Sequence, residues 1–193
     1  MKKILFSDSI LIDHLSNDNF KILKENILHL LQKEEEKEQR IFKSNRGGFQ
    51  TNDLDLNQNK EMIKIIINCI HDLIKNNYVF NKVRFDLTNI WINKNPKMAI
   101  NMPHIHHRSH FSGVLYITVP EQDGKLVFFR NEKSSCMMGD GIFKGSDFDV
   151  NCNISPEEKM ILLFPSHLEH MVEPHFEEGH RISVSFNIKI SHG

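Results

Sequence analysis

The chain has 193 residues, 39% hydrophobic and 25% charged, with a formal net charge of −1. That length suits one domain whose core needs no staples, and near-neutral charge gives no electrostatic handle for nucleic acid or an anionic membrane. Three cysteines, Cys69, Cys136 and Cys152, without any CxxC spacing, argue against a disulfide framework or a zinc ribbon and fit a reduced, cytoplasmic setting. No apolar run approaches the ~20 residues that span a bilayer, and Asp8 and Asp13 interrupt what would be a signal-peptide core.

In chain order, residues 4–12 read as a short strand. A helix begins at Asn17-Asp18, which can cap it, and Phe20, Leu23, Ile27, Leu30 and Leu31 recur at helical spacing. The charged run Lys33–Arg40 is its solvated end. Ser44–Gln50 is a loop, and its Gly47-Gly48 pair marks backbone that needs unusual angles or a close approach. A second helix spans Lys60–Lys75, with Met62, Ile66, Cys69, Ile70 and Leu73 on one stripe.

After Tyr78 the period changes to two. Val83, Phe85 and Leu87 alternate with polar residues and lead to Trp91. Phe111–Val119, Lys125–Arg130, Met160–Phe164, Glu169–His175 and Arg181–Ile190 read as strands. In the last, Ile182, Val184, Phe186, Ile188 and Ile190 line one face; Arg181, Ser183, Ser185, Asn187 and Lys189 line the other. A ligand cavity would put that polar face inside and the apolar face beneath helices. Asn131–Ser155 is a long Gly-, Ser- and Asp-rich insertion, which reads either as a lid at a barrel mouth or as a disordered excursion. Two helices followed by about eight strands predict a double-stranded β-helix, a cupin-like jelly-roll barrel buttressed by two helices. The whole chain, 1–193, is expected to be one domain, with 1–78 as strand and helical support and 79–190 as the β-helix core.

Four histidines fall between positions 104 and 110 and four between 167 and 180. At i and i+2 of one strand, His104 and His106 point to the same face, and a return strand carries His170. Imidazole suits iron, zinc, copper and nickel alike. His106 and His107 point to opposite faces of a regular strand, so only one joins His104. His107, His110, His167 and His175 are surplus. An imidazole must be neutral to bind a metal, so affinity is expected to fall as pH drops through the histidine range near ~6.5. Arg181, eleven positions past His170 (181 − 170), is a cation placed to hold a carboxylate.

The segments Ser44–Gln50, Pro103–His106, Ser112–Tyr116, Phe164–Ser166 with His170, and Arg181–Asn187 together resemble a family of 2-oxoglutarate- and iron(II)-dependent oxygenases of bacteria and phages, over Ser44 to Ile188. The resemblance implies a double-stranded β-helix, iron(II) at His104, His106 and His170, and Arg181 paired with the distal carboxylate of 2-oxoglutarate. A guanidinium suits that role through two parallel hydrogen bonds. Ser183 and Tyr116 are implied as further cosubstrate contacts. No separate acid or base is required, so no further catalytic residue is assigned. The substrate would be a small molecule or a side chain, and a homodimer stays open. One departure stands out: most of the superfamily carries Asp or Glu where this chain has His106. Asp140, Asp147 or Asp149 could supply a carboxylate instead. That departure also keeps open a three-histidine cupin-type dioxygenase without 2-oxoglutarate, and a non-catalytic jelly-roll binding module.

Overall fold

The computed structural model describes residues 8–37, 41, 43–78, 83–121, 124–130 and 151–192. Its first strand, β1, is Leu11–His14; the rest of the strand expected over 4–12 falls partly outside the described residues. Helix α1 follows at Asn17–Glu36, capped by Ser16 rather than by Asn17-Asp18: the Ser16 hydroxyl accepts from the Asn19 N–H, and Asp18 sits in the first turn, where the helix dipole favours it. Its buried stripe is Phe20, Leu23, Ile27 and Leu31. The expected loop over 44–50 is two short strands, β2 (Asn45–Arg46) and β3 (Phe49–Gln50), joined at the glycine pair. Both expectations for that pair apply. Gly47 has φ +78, and a Cβ on Gly48 would stand 2.6 Å from Asn45 Oδ1 and 2.6 Å from Asn95 Oδ1.

Helix α2 spans Lys60–Asn77 and buries Met62, Ile63, Ile66, Ile70, Leu73 and Ile74. The later strands are β4 (Val83–Pro96), β5 (Ile100–His104), β6 (Phe111–Thr118), β7 (Leu126–Phe129), β8 (Asn151–Ile154), β9 (Met160–Pro165), β10 (His170–Val172) and β11 (His180–His192). Strand β8 lies within the insertion expected as loop over 131–155. Residues 131–150, and with them Cys136 and Asp140, Asp147 and Asp149, lie outside the described residues.

The strands form two antiparallel sheets: six strands in the order β1-β9-β6-β11-β4-β3, and five in the order β2-β5-β10-β7-β8. This is the double-stranded β-helix predicted from sequence, built as two sheets rather than a closed barrel. Strands from the first fifty residues complete sheet edges: β1 pairs with β9, β3 with β4 and β2 with β5. The helices cover the outer face of the larger sheet, where Ile90, Ile92, Leu115, Ile117, Ile161, Leu163, Ile182, Val184, Phe186 and Ile188 meet the apolar stripes of α1 and α2. The other face of that sheet adds Val114, Tyr116, Leu162 and Phe164 to a second core with Leu126 and Phe128 of the smaller sheet. Among the described residues, no helix is long and apolar enough to cross a membrane.

One bulge sets which side chains face inward. Asn187 pairs with Asn89 but Ile188 pairs with Leu87, so Thr88 is an extra residue. An inserted residue reverses the facing of everything beyond it. Phe85 and Leu87 pack toward the helices, whereas Trp91, at the same parity in sequence, lines the inner pocket. The reading of Val83, Phe85, Leu87 and Trp91 as one run missed this switch.

Gly113 pairs with Phe186, and a Cβ there would stand 2.3 Å from Phe186 Cζ and 2.6 Å from the Leu162 carbonyl. Because one neighbour is backbone, the clash has no easy relief. Gly113→Ala is expected to cost about 1–3 kcal/mol. For a chain of this size that lowers the melting temperature by roughly 2–4 °C per kcal/mol. Thermal unfolding of the variant checks this.

Candidate functional site

A pocket opens between the two sheets, lined among others by Trp91, Tyr116, Arg181 and Ser183 of the larger sheet and by His104 and His170 of the smaller. His104 ends β5 and His170 begins β10, directly opposite in register. His106 is not on that strand. It lies two residues beyond β5, and its backbone N–H donates to the Ser166 carbonyl at 3.0 Å, which ties it to the turn after β9. The spacing brought His104 and His106 together, but by a chain departing from the strand rather than by i, i+2 facing along it.

The three imidazoles each offer one nitrogen, and those atoms lie within 4.8 Å of one another. The Nε2 atoms of His106 and His170 are 3.3 Å apart, with their rings stacked at 9°. Two nitrogens held about 2.1 Å from one first-row ion at a right angle would be about 3 Å apart. The donor set therefore fits a single divalent cation. The tautomers fit as well. His104 Nδ1 donates to the Met102 carbonyl at 2.7 Å and His170 Nδ1 to the Leu168 carbonyl at 2.8 Å. Each bond leaves an Nε2 lone pair for a metal and fixes the ring orientation. Phe164, 4.8 Å from the His170 ring, and Trp91, 5.8 Å from the His106 ring, wall the site.

Burial pushes the His106 imidazole down to about 3, helped by the positive fields of His170, His104, Lys43 and His107. Burial, with His104 beside it, pushes His170 down to about 4, against the opposing bond to Leu168. His104 is lowered too, by burial, with the Met102 bond opposing. All three are neutral at pH 7, as ligation requires. The fall in affinity expected near ~6.5 is therefore displaced to more acid pH, where protons begin to compete at the folded site. The metal-free protein carries the same signature. The unfolded chain binds these protons near ~6.5 and the folded chain does not. Stability is thus fully present above that pH and is lost as pH falls toward 4 and then 3. Melting temperature against pH, without metal, should bend downward below ~6.5, and less so in His106→Asn.

A file of side-chain amides runs behind the triad. Gly48 N–H donates to Asn45 Oδ1, Asn45 Nδ2 to Asn95 Oδ1, Asn95 Nδ2 to Asn101 Oδ1, and Asn101 Nδ2 to Ser44 Oγ, at 3.0, 2.7, 3.0 and 3.3 Å. Ser44 Oγ ends it 3.5 Å from His104 Nε2. Asn45, Asn95 and Asn101 are buried, and the file ties both sheets together beside His104. Removing hydrogen-bonded support around a ligand costs roughly 10–100-fold in metal affinity. Asn101→Ala, which breaks the file beside Ser44, is expected within that range in a competition titration against a metal-binding dye.

Arg181 is 2% exposed. Its Nη1 donates to the Gly124 and Glu173 carbonyls at 3.2 and 3.3 Å, and its Nη2 to Glu173 at 3.3 Å. Ser183 pairs in register with Asn93 on one side and Tyr116 on the other. All four line the pocket, and no acidic side chain is among its described lining residues.

The surplus histidines stand apart from the triad. His107 is exposed; His110 Nδ1 accepts from the Ile190 N–H at 2.8 Å; His167 lies 3.2 Å from Asp8; His175 is buried against the Asn95 and Glu177 carbonyls. Sequence reasoning missed Asn93, Asn95 and Asn101 as pocket residues. Their signal was present in the alternation of Asn89, Trp91, Asn93 and Asn95, once the bulge at Thr88 is allowed for.

Solved structures with the same fold include a prolyl-4-hydroxylase from Pseudomonas putida, at TM-score 0.65 and 16% identity, covering 95% of this chain and 93% of that one. A prolyl hydroxylase from Trichoplax adhaerens, in complex with a hypoxia inducible factor oxygen degradation domain peptide fragment, superposes at 0.61 with 17% identity over 93% and 83%. HygX from Streptomyces hygroscopicus, with nickel and 2-oxoglutarate bound, reaches 0.60 with 10% identity over 94% and 82%. No curated protein matches the chain by sequence. The family model described as "Putative 2OG-Fe(II) oxygenase" matches residues 89–187, a span running from the bulge through the triad to the strand of Arg181. The chain belongs to that family, the 2-oxoglutarate- and iron(II)-dependent oxygenases, and is an oxidoreductase that uses iron(II) and 2-oxoglutarate.

Proposed function

We propose that His104, His106 and His170 hold the iron(II), that Arg181, Ser183 and Tyr116 hold 2-oxoglutarate, and that the enzyme hydroxylates a C–H bond of a small molecule or a peptide side chain. The observation that carries this reading is one pocket with three convergent neutral imidazoles and a buried guanidinium. Iron(II) with 2-oxoglutarate supplies oxidative decarboxylation to succinate and CO2, coupled to oxidation of the substrate.

The protein's own groups bind, orient and exclude water. The Met102 and Leu168 carbonyls keep two imidazoles in the Nε2-presenting tautomer. The Gly124 and Glu173 carbonyls anchor the Arg181 guanidinium, whose planar fork suits a carboxylate. Phe128, Phe164 and Leu126 make the wall below His170 apolar and keep water from the oxidising centre. Two of the structurally similar proteins are prolyl hydroxylases, one holding a peptide fragment. That likeness supports a peptide side chain as one class of substrate.

The test is anaerobic addition of 2-oxoglutarate to the iron(II)-loaded protein. A weak visible charge-transfer band is expected, and succinate should appear when oxygen is admitted with candidate substrates. No band under saturating cosubstrate would reject the assignment, and would favour the neutral three-histidine site acting without 2-oxoglutarate.

A further inference from the structure

We propose that Asn93 is a further cosubstrate residue, its side-chain amide donating to a carboxylate oxygen of 2-oxoglutarate, with Ser185 setting the amide's orientation. This rests on the site reading above. Asn93 is 6% exposed and lines the pocket. Its Nδ2 donates to Ser185 Oγ at 3.1 Å. Its Oδ1 is the one buried side-chain polar atom among the described residues that has no hydrogen-bond partner. A buried acceptor left unpaired is costly, and such a group in a folded protein calls for an explanation.

Two chemical facts supply it. First, 2-oxoglutarate at neutral pH is acceptor-only, so it cannot satisfy an amide oxygen but can take an amide N–H. Second, the partner of Asn93 is a hydroxyl, which can donate as well as accept. Turning the amide over lets Ser185 O–H donate to Oδ1 and presents Nδ2 to the pocket. Both side-chain atoms are then used, and the orphan disappears once a carboxylate arrives. A carboxylate or carbonyl in the place of Ser185 could not make that exchange.

Position agrees with chemistry. Asn93 is directly across from Ser183, which in turn faces Tyr116 on the next strand. A ligand lying over Ser183 with its distal carboxylate at Arg181 has Asn93 and Tyr116 on its two flanks. Trp91, two residues before Asn93 on the same face, touches the triad at His106. Asn93 thus lies between the metal-facing end of the pocket and the row of Arg181, which pairs with Asn95.

The test uses full-length protein loaded anaerobically with iron(II), titrated with 2-oxoglutarate by calorimetry. Asn93→Leu keeps the branching and the number of side-chain heavy atoms and removes both polar atoms; Asn93→Asp puts a second anion beside the cosubstrate. Loss of one hydrogen bond to a charged group predicts about a tenfold or greater fall in affinity for Leu, and a larger fall for Asp. Removing an unsatisfied acceptor predicts that the ligand-free melting temperature of Asn93→Leu is held or raised. A residue with only a structural role would lower it. In zinc-loaded, nitrogen-15-labelled parent protein, the Asn93 side-chain amide resonance should move when 2-oxoglutarate is added, a readout that needs no variant to fold. Unchanged affinity in Asn93→Asp, or an unmoved resonance at saturation, overturns the proposal while leaving the site reading intact. If the parent itself fails to bind 2-oxoglutarate, the site reading and this inference fall together.

Discussion

His170→Ala should lose stoichiometric iron(II) binding, leaving little or no metal after anaerobic loading and desalting. Support around a metal ligand is worth roughly 10–100-fold in affinity, so losing the ligand itself should cost more than about a hundredfold. His170 is 4% exposed and its Nε2 converges on His106. Alanine would leave a cavity between Phe164 and Phe128, with no donor in reach. His104→Ala should behave alike, since its Nε2 is held toward the same point by the Met102 bond. His106 lies beyond the end of β5, and His106→Ala should also weaken binding. His106→Asp would give the carboxylate usual in the superfamily and should retain iron. In the parent, burial keeps His106 and His170 neutral well below pH 6, so the aspartate variant should change the pH profile little. Full iron occupancy in both His104→Ala and His170→Ala would sink the assignment.

The second large effect is at Arg181. Arg181→Ala should lower affinity for 2-oxoglutarate at least about tenfold, since a hydrogen bond to a charged group contributes roughly 1.5–3 kcal/mol. In the parent, a hundredfold excess of cosubstrate over its dissociation constant should stabilise the metal-loaded protein by about 2.7 kcal/mol. That increment should shrink or vanish in the variant. The same change should lower the melting temperature of the ligand-free protein, because the Gly124 and Glu173 carbonyls lose their donor. The two effects separate when melting is measured with and without cosubstrate. Arg181→Lys should restore part of the stability and less of the affinity, since an ammonium cannot span both carboxylate oxygens. An undiminished cosubstrate shift in Arg181→Ala would refute the role.

The strands that build the larger sheet were legible because each buries one face fully. Ile182, Val184, Phe186 and Ile188 must lie against α1 and α2, which leaves Arg181, Ser183 and Ser185 for the pocket. Strand β5 and the pairs β2 and β3 were not legible. In Ile100–His104 the one buried residue is the polar Asn101, while Ile100 and Met102 are not buried, so the strand carries no buried apolar stripe. Its backbone is held by pairing with β10 and β2, and pairing energy leaves no mark on residue type. Strand β8, Asn151–Ile154, is largely exposed and is specified by β7 beside it. The cap of α1 was missed by one residue because Ser16, Asn17 and Asp18 all have capping side chains, and only the backbone decides which stands at the non-helical position.

By itself, the sequence determined the fold class, the two-faced pattern of β11, and a set of imidazoles and one guanidinium that the structure brings to a single pocket. These follow from residue chemistry and from periods of 2 and 3.6, which are local properties. Tertiary structure alone decided that His106 reaches His170 from a segment beyond β5, tied to Ser166. It also decided that an extra residue at Thr88 turns Trp91, Asn93 and Asn95 into the pocket, and that burial holds the three imidazoles neutral. Each depends on contacts between residues tens of positions apart: His106 with His170, Thr88 with Asn187, Asn45 with Asn95. A pairing register and a desolvation are properties of what packs alongside, and a side chain does not encode its distant neighbour in its own type.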